Sequence, residues 1–375
     1  MTPRAAVAAT FLGHAAIVGT WAARVPAIKH NLDLSDTQLG LALFGMALGT
    51  VGGSRVGGAL ISRFGSRRAV LAGMPAMGAV LVLAALAGGL YTLVVALAAF
   101  GVTLAIVDVA MNTEAVVVEQ AYGRPLMSGL HGMWSVGLLL GSAVGAAAAG
   151  LGIRPVVHFA AVSVIVAAAT VPLFLRLSAR APVAVREGRA WGGWSVGLVV
   201  LGLISFCSFF AEGAVIDWAA VYVHDRGGSS AALGAVALAS FSLSMAASRL
   251  VGDRLAMRFG PVSLARSFSV LAAAGLALAL LLPGAPAGVV GFGLVGIGLG
   301  PIVPTAVSAA GNAGLGDPET VVSRIFMISY VGSIIGPALI GFVAGQTGLR
   351  GALVIPLTLI VCIALASGRL SSAAA

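Results

Sequence analysis

The chain has 375 residues, of which 59% are hydrophobic and only 9% charged, with a formal net charge of +9 and a mean hydropathy of +1.08. A soluble domain carries roughly 25% charged residues, so the composition excludes a soluble protein and implies one embedded in a membrane. The surplus arginines flank apolar runs, where they meet anionic head groups of the membrane lipids, which argues against a nucleic-acid partner.

Lipid obliges each segment to satisfy its own backbone polar groups, which favours helices. The short alternating strands of an outer-membrane barrel are absent from the sequence. Twelve apolar spans are predicted, at about 5–28, 37–61, 69–88, 91–116, 127–150, 155–175, 195–221, 231–255, 262–282, 286–310, 321–345 and 351–369. The first opens with Arg4 and an apolar run, in the manner of a signal peptide. Its Trp21-Ala22-Ala23 recurs inside the chain as Trp218-Ala219-Ala220, however, so it is read as a retained first helix. Ser35 and Asp36 are suited to cap the second span. Gly and Pro punctuate tight connections, as at Pro283-Gly284-Ala285-Pro286. One connection is longer. Residues 177–194, preceded by Arg176 and holding Arg180, Arg186 and Arg189 against Glu187, read as a basic cytoplasmic linker between a bundle at 1–176 and another at 195–375. Placing both termini in the cytoplasm puts Arg63, Arg67, Arg68, Arg124, the linker arginines, Arg258 and Arg369 inside. The opposite loops then hold only Lys29, Arg154, Arg226 and Arg350, as the positive-inside rule requires.

The two bundles repeat one another. Leu39-Gly40, Ser54-Arg55, Gly58 and Arg63-Phe64-Gly65 recur as Leu233-Gly234, Ser248-Arg249, Gly252 and Arg258-Phe259-Gly260. Val136-Gly137, Gly141 and Gly150 recur as Val331-Gly332, Gly336 and Gly345. A period near half the chain marks duplication of a large unit rather than a solenoid. Two six-helix halves of the same orientation, with Gly58-Ala59-Leu60-Ile61-Ser62-Arg63-Phe64-Gly65-Ser66-Arg67-Arg68 between the second and third spans, resemble the major facilitator superfamily of secondary transporters. That family's motif there is Gly-x-x-x-Asp-Arg/Lys-x-Gly followed by basic residues. Ser62 takes the acidic slot, and the family's acid helps latch the cytoplasmic side. In the second copy, Asp253 and Arg254 fall in other slots. The fifth span carries Gly132, Gly141 and Gly145 at the glycine spacing of the family's proton-coupled drug antiporters, but with Ala146 for the proline. Close helix packing explains those glycines equally well. The resemblance implies an all-α membrane fold of twelve transmembrane helices in two pseudo-symmetric six-helix bundles.

A charge at the centre of a membrane helix costs about 2.5–3.5 kcal/mol on insertion scales, so each one needs a reason. His14, Trp21 and Arg24 share one face of the first span. Glu212 and Asp217 lie near the end of the seventh, beside Trp218, and are candidate partners for Arg24. For Trp21 an interfacial anchor is the alternative, and for Asp217 a solvated rim charge. The fourth and fifth spans hold Asp108 with Asn112, four apart, and His131 with Trp134, three apart. The bundle repeat places apolar residues at their counterparts Val303, Val307 and Phe326. A carboxylate and an imidazole in low dielectric suit proton exchange, so Asp108 with His131 is the candidate proton site; a neutral helix–helix network is the alternative. Arg55, Arg249 and Asp253, with the motif residues Gly58, Arg63, Gly65, Arg67, Arg68 and Arg258, are assigned to gating or packing.

Cys207 and Cys362 both fall in apolar spans, and no metal-ligand spacing occurs, so neither disulfide, metal nor cofactor is expected. There is no Gly-x4-Gly-Lys-Ser/Thr and a single lysine, so the energy must come from a gradient. The expectation is a monomeric secondary transporter in a bacterial inner membrane, moving a small organic solute with protons by alternating access. A multidrug or metabolite antiporter is the alternative. A membrane-embedded enzyme would need a nucleophile–base set, for which only His131 with Asp108 and Ser128 offers itself, and no enzyme activity is expected.

Overall fold

The computed structural model describes residues 2–34, 36–175, 195–225, 231–314 and 317–372. Ser35, Arg226 and the linker 177–194 lie outside the described residues, as do Arg176 and the side chain of Asp36. The described residues contain helices and turns and no strand. They form α1 (Pro3–Asn31), α2 (Asp36–Phe64), α3 (Ser66–Ala85), α4 (Leu90–Tyr122), α5 (Met127–Gly150), α6 (Pro155–Leu175), α7 (Val196–Asp225), α8 (Ala231–Phe259), α9 (Pro261–Leu281), α10 (Ala285–Leu299), α11 (Ile302–Asn312), α12 (Pro318–Ala352), α13 (Val354–Ala366) and α14 (Arg369–Ser372).

The chain is an all-α membrane protein of twelve membrane helices, and its local chemistry explains where each begins and ends. The Thr2 hydroxyl accepts from the Ala5 amide at 3.4 Å and Pro3 occupies the first turn of α1, where its missing N–H costs nothing. The predicted span 286–310 is one membrane span, Ala285–Asn312; α10 and α11 are its two parts, the backbone staying right-handed helical through Gly300 and Pro301 while Pro301 withholds one donor from the ladder. Near the other end Gly348 takes φ +73° inside α12. Residues Leu339–Ala352 and Val354–Ala366 form a pair bent by 63°. Among the described residues ten helices are long and apolar enough to cross a membrane, or eleven with that pair taken as one span. The remaining membrane helix, α8, carries Arg249, Asp253, Arg254 and Arg258 along its second half.

The connection between the second and third spans, expected as a loop, is a single residue. Gly65 separates α2 from α3 at φ +82°, and Gly260 separates α8 from α9 at φ +78°. Each receives the same two bonds: Gly65 donates to Ile61 O and accepts from Ala69, Gly260 donates to Ala256 O and accepts from Leu264. With ψ at 148° and 156° both sit in a region essentially reserved for glycine, where a side chain costs about 1–3 kcal/mol, which is why both copies keep glycine.

Packing is organised in two compact units. One comprises Met1–Tyr122, Met133–Gly192 and Gly316–Met327; the other Gly123–Gly132, Gly193–Leu315 and Ile328–Ala375. In the first, Trp21 is buried between Phe100 and Phe159, ring centroids 6.4 and 6.3 Å away. In the second, Tyr222 meets Phe292 edge-on at 6.0 Å and donates its hydroxyl to Ala279 O at 3.0 Å. Between membrane helices lipid offers no hydrophobic drive, so close approach of small residues must supply the attraction. Gly137 and Gly141 of α5 lie against the backbone of Leu12 and Ala16 in α1. Their repeat counterparts Gly332 and Gly336 lie against Phe206 and Phe210 of α7. Gly145 meets Ala23 and Gly132 meets Leu250, so all the glycines of the antiporter-like spacing serve packing.

Candidate functional site

The polar face predicted on α1 turns into the first unit. His14, Trp21 and Arg24 are all buried there. The Trp134 indole donates to His14 Nδ1 at 3.1 Å, and His14 Nε2 lies 3.2 Å from Leu104 O. A carbonyl only accepts, so Nε2 carries the proton and the ring is the neutral tautomer, tying α1 to α4 and α5. Trp134 thus serves His14, a partnership across 120 residues that spacing does not reveal. Arg24 Nη2 donates to Ile153 O at 2.5 Å, in the turn between α5 and α6. Its expected partners lie elsewhere in the chain: Asp217 is exposed and Glu212 is held by another arginine.

That arginine is Arg249. Its Nη2 sits 3.2 Å from Glu212 Oε2 and 3.5 Å from Oε1, while Nε donates to Gly300 O at 3.1 Å. The pair links α7, α8 and the end of α10 within the second unit. The Arg249 side chain is 6% exposed and that of Glu212 19%. Burial on this scale desolvates both charges, and the pair persists because each compensates the other. Arg55, its repeat counterpart, is exposed.

One turn along α8, Asp253 caps α5. Its Oδ1 and Oδ2 accept from the Ser128 and Gly129 amides at 2.8 and 2.7 Å. A carboxylate here satisfies two orphan amides and meets the positive end of the helix dipole. The Ser128 hydroxyl donates to Arg249 O at 2.8 Å. The first repeat reproduces part of this: Ser323 donates to Ser54 O at 2.7 Å, with Gly58 packed on Ser323. Gly252 packs on Ser128 in the same way. The acid has no such counterpart, since Ala59 stands where the repeat would place it.

Around Gly65 and Gly260 the basic residues divide. Arg63 stacks on Phe64 at 5.3 Å and Arg258 on Phe259 at 5.2 Å, both exposed. Arg67 turns inward and donates to Phe174 O and Leu175 O at 2.9 and 3.0 Å, closing the last carbonyls of α6. Arg68 is exposed, and the Ser66 hydroxyl donates to Glu114 at 2.6 Å.

Asp108 and Asn112 sit on one face of α4, Asp108 6% exposed and Asn112 fully buried. The Asn112 amide donates to Asp108 Oδ1 at 3.2 Å and to Asp108 O at 2.9 Å. His131 is buried at the start of α5 and belongs to the second unit; Asp108 belongs to the first. Among the described residues no group of three or more His, Cys, Asp or Glu side chains has metal-site geometry.

Membrane-crossing helices joined by short turns, with buried charged side chains among the described residues, define a polytopic membrane protein. The chain belongs to the Major Facilitator Superfamily, whose profile matches residues 6–314, and is a transporter of that family. Its relatives include an uncharacterized MFS-type transporter of Yersinia pestis, 32% identical over 340 residues that span 88% of this chain and 86% of the other. An uncharacterized transporter of Sinorhizobium fredii, y4wD, is 34% identical over 354 residues, 93% of each chain. In fold the chain is similar to FucP in the outward conformation, with a TM-score of 0.84 at 17% identity and 98% of both chains covered. It is also similar to the human organic anion transporter MFSD10, with a TM-score of 0.74 at 16% identity, covering 98% of this chain and all of the other.

Proposed function

We propose that this protein is a proton-coupled secondary transporter of a small organic solute, set in a bacterial cytoplasmic membrane with both termini inside. In this reading two six-helix halves, 1–176 and 195–375, alternate access about a midplane site. The observation that carries the coupling is Asp108, a carboxylate buried inside an apolar helix with an amide bonded to one of its oxygens. Such a group is retained against its insertion cost when binding and releasing a proton is its task. His131, also buried, is the partner assigned to it, and Arg249 with Glu212 the second charged element responding to the solute. A fold neighbour whose name is fucose:proton symporter supports a small polar solute as the class.

Asp253 supplies a gate. The acid missing at Ser62 is replaced, in the other half, by a carboxylate that grips the first turn of α5, and releasing that grip accompanies the change of access. The reading is tested in proteoliposomes by measuring accumulation of a panel of radiolabelled sugars, polyols and organic acids with and without an imposed pH difference. Accumulation that depends on the pH difference, and that Asp108→Asn abolishes while the purified variant keeps its melting temperature, is the expected result. Equal accumulation with and without the pH difference refutes proton coupling.

A further inference from the structure

The C-terminal third of α1 and the first turn of α6 hold a set of buried hydrogen-bonding groups, the Arg24 donors chief among them, that the transport reading leaves unused. Arg24 is 4% exposed, and of its three nitrogens only Nη2 has an acceptor; Nε and Nη1 are sealed in the protein without one. Thr20, one turn earlier on the same face, has a buried hydroxyl without a partner, and both ring nitrogens of His158 are likewise unpartnered. These groups converge where α1, α5 and α6 meet: a Cβ on Gly145 would lie 2.5 Å from Ala23 Cβ and 3.4 Å from His158 Cε1.

The charge here is uncompensated as well as the hydrogen bonds. A guanidinium keeps its proton at any physiological pH, so Arg24 is a permanent buried cation. Neither residues 3–31 nor residues 127–175 contain an Asp or Glu. The acid that follows α1, Asp33, is exposed nine residues further on. What stands there instead is a second cation, the exposed Arg154 next to Ile153, followed by the start of α6 at Pro155, whose free amides are the positive end of a helix dipole.

We infer that this corner of the first unit binds a small monovalent anion, a halide or the carboxylate of a compact organic acid, between the Arg24 guanidinium and the first turn of α6. Every unpartnered charged group is a donor, so the ligand must be an acceptor carrying negative charge. The close approach of Ala23, Gly145 and His158 limits it to a compact one. The Ile153 carbonyl, in a surface turn between Leu151 and Arg154, is the acceptor such an anion joins or displaces.

The test is made on full-length protein in detergent and needs no transport, so its failure leaves the transporter reading untouched. Melting temperature is followed at constant ionic strength as sodium gluconate is replaced by sodium bromide or by sodium acetate. A saturable rise on the order of 2 °C is expected, lost in Arg24→Gln and retained in the control Arg350→Gln. Saturation by bromide alone identifies a resident inorganic ion; tighter saturation by acetate identifies the acid group of an organic solute. A melting temperature blind to both anions, or an Arg24→Gln variant as responsive as the parent, overturns the inference. Should that variant not fold, crystals of the parent soaked in bromide decide. An anomalous peak in ionic contact with Arg24 supports the site, and no peak there removes it.

Discussion

Arg249 and Glu212 carry the clearest energetic prediction at the level of single residues. Glu212→Gln leaves a buried guanidinium without its counter-charge, and the cost is about 3–5 kcal/mol. Replacing the pair together by Met and Leu recovers most of that loss, as thermal unfolding in detergent will show. Trp134→Phe removes a neutral hydrogen bond to His14 and costs only about 1 kcal/mol, with His14 remaining buried. Insertion cost singled out Arg24, Asp108, His131 and Arg249, which lie inside the protein, but also Arg55 and Asp217, which are exposed, and it passed over the buried His158, Glu119 and Glu319. Their partners were not legible. Glu212 and Arg249 are 37 residues apart and Trp134 and His14 are 120 apart. Helical spacing ranks only neighbours three or four positions away: it put His131 and Trp134 on one face, while the pairing of Arg24 with the acids of the seventh span rested on the resemblance alone. The geometry gave Arg24 a backbone carbonyl and Trp134 to His14.

At the level of helices, glycine decides two things, where the chain turns and where helices touch. Gly65→Ala and Gly260→Ala are each expected to cost about 1–3 kcal/mol, because both positions sit at positive φ. Gly141→Val is expected to be worse, since a side chain there meets the α1 backbone at Ala16, which no rotamer change relieves. Melting curves of the three variants check both statements. Asp253→Asn weakens the cap on α5 by about 1 kcal/mol, and exchange of the Ser128 and Gly129 amides should accelerate while the rest of α5 is unaffected. The ends of α5 and α6 were legible because Gly150 and Pro155 bracket their junction. The fourth helix ran past its expected end at 116: α4 continues through Glu119 and Gln120 to Tyr122 and stops at Gly123, which takes φ +61°.

The duplicated architecture was readable in the sequence because the same small residues do the same work twice. Gly137 and Gly141 bring α5 onto α1 as Gly332 and Gly336 bring α12 onto α7. The sequence departs from that symmetry at Asp108, His131 and Asp253, whose repeat counterparts are Val303, Phe326 and Ala59. A repeat alone maintains none of these polar residues, which is why the proposed function draws on them. The central claim is that solute and proton move together through Asp108. It is tested by sealing a pH-sensitive dye inside proteoliposomes with no starting gradient and adding, from outside, the solute that accumulates in the uptake panel. The account predicts a prompt change of internal pH with the parent protein and none with Asp108→Asn. Solute entry without any pH change in the parent, or an unchanged pH signal in the variant, would contradict it.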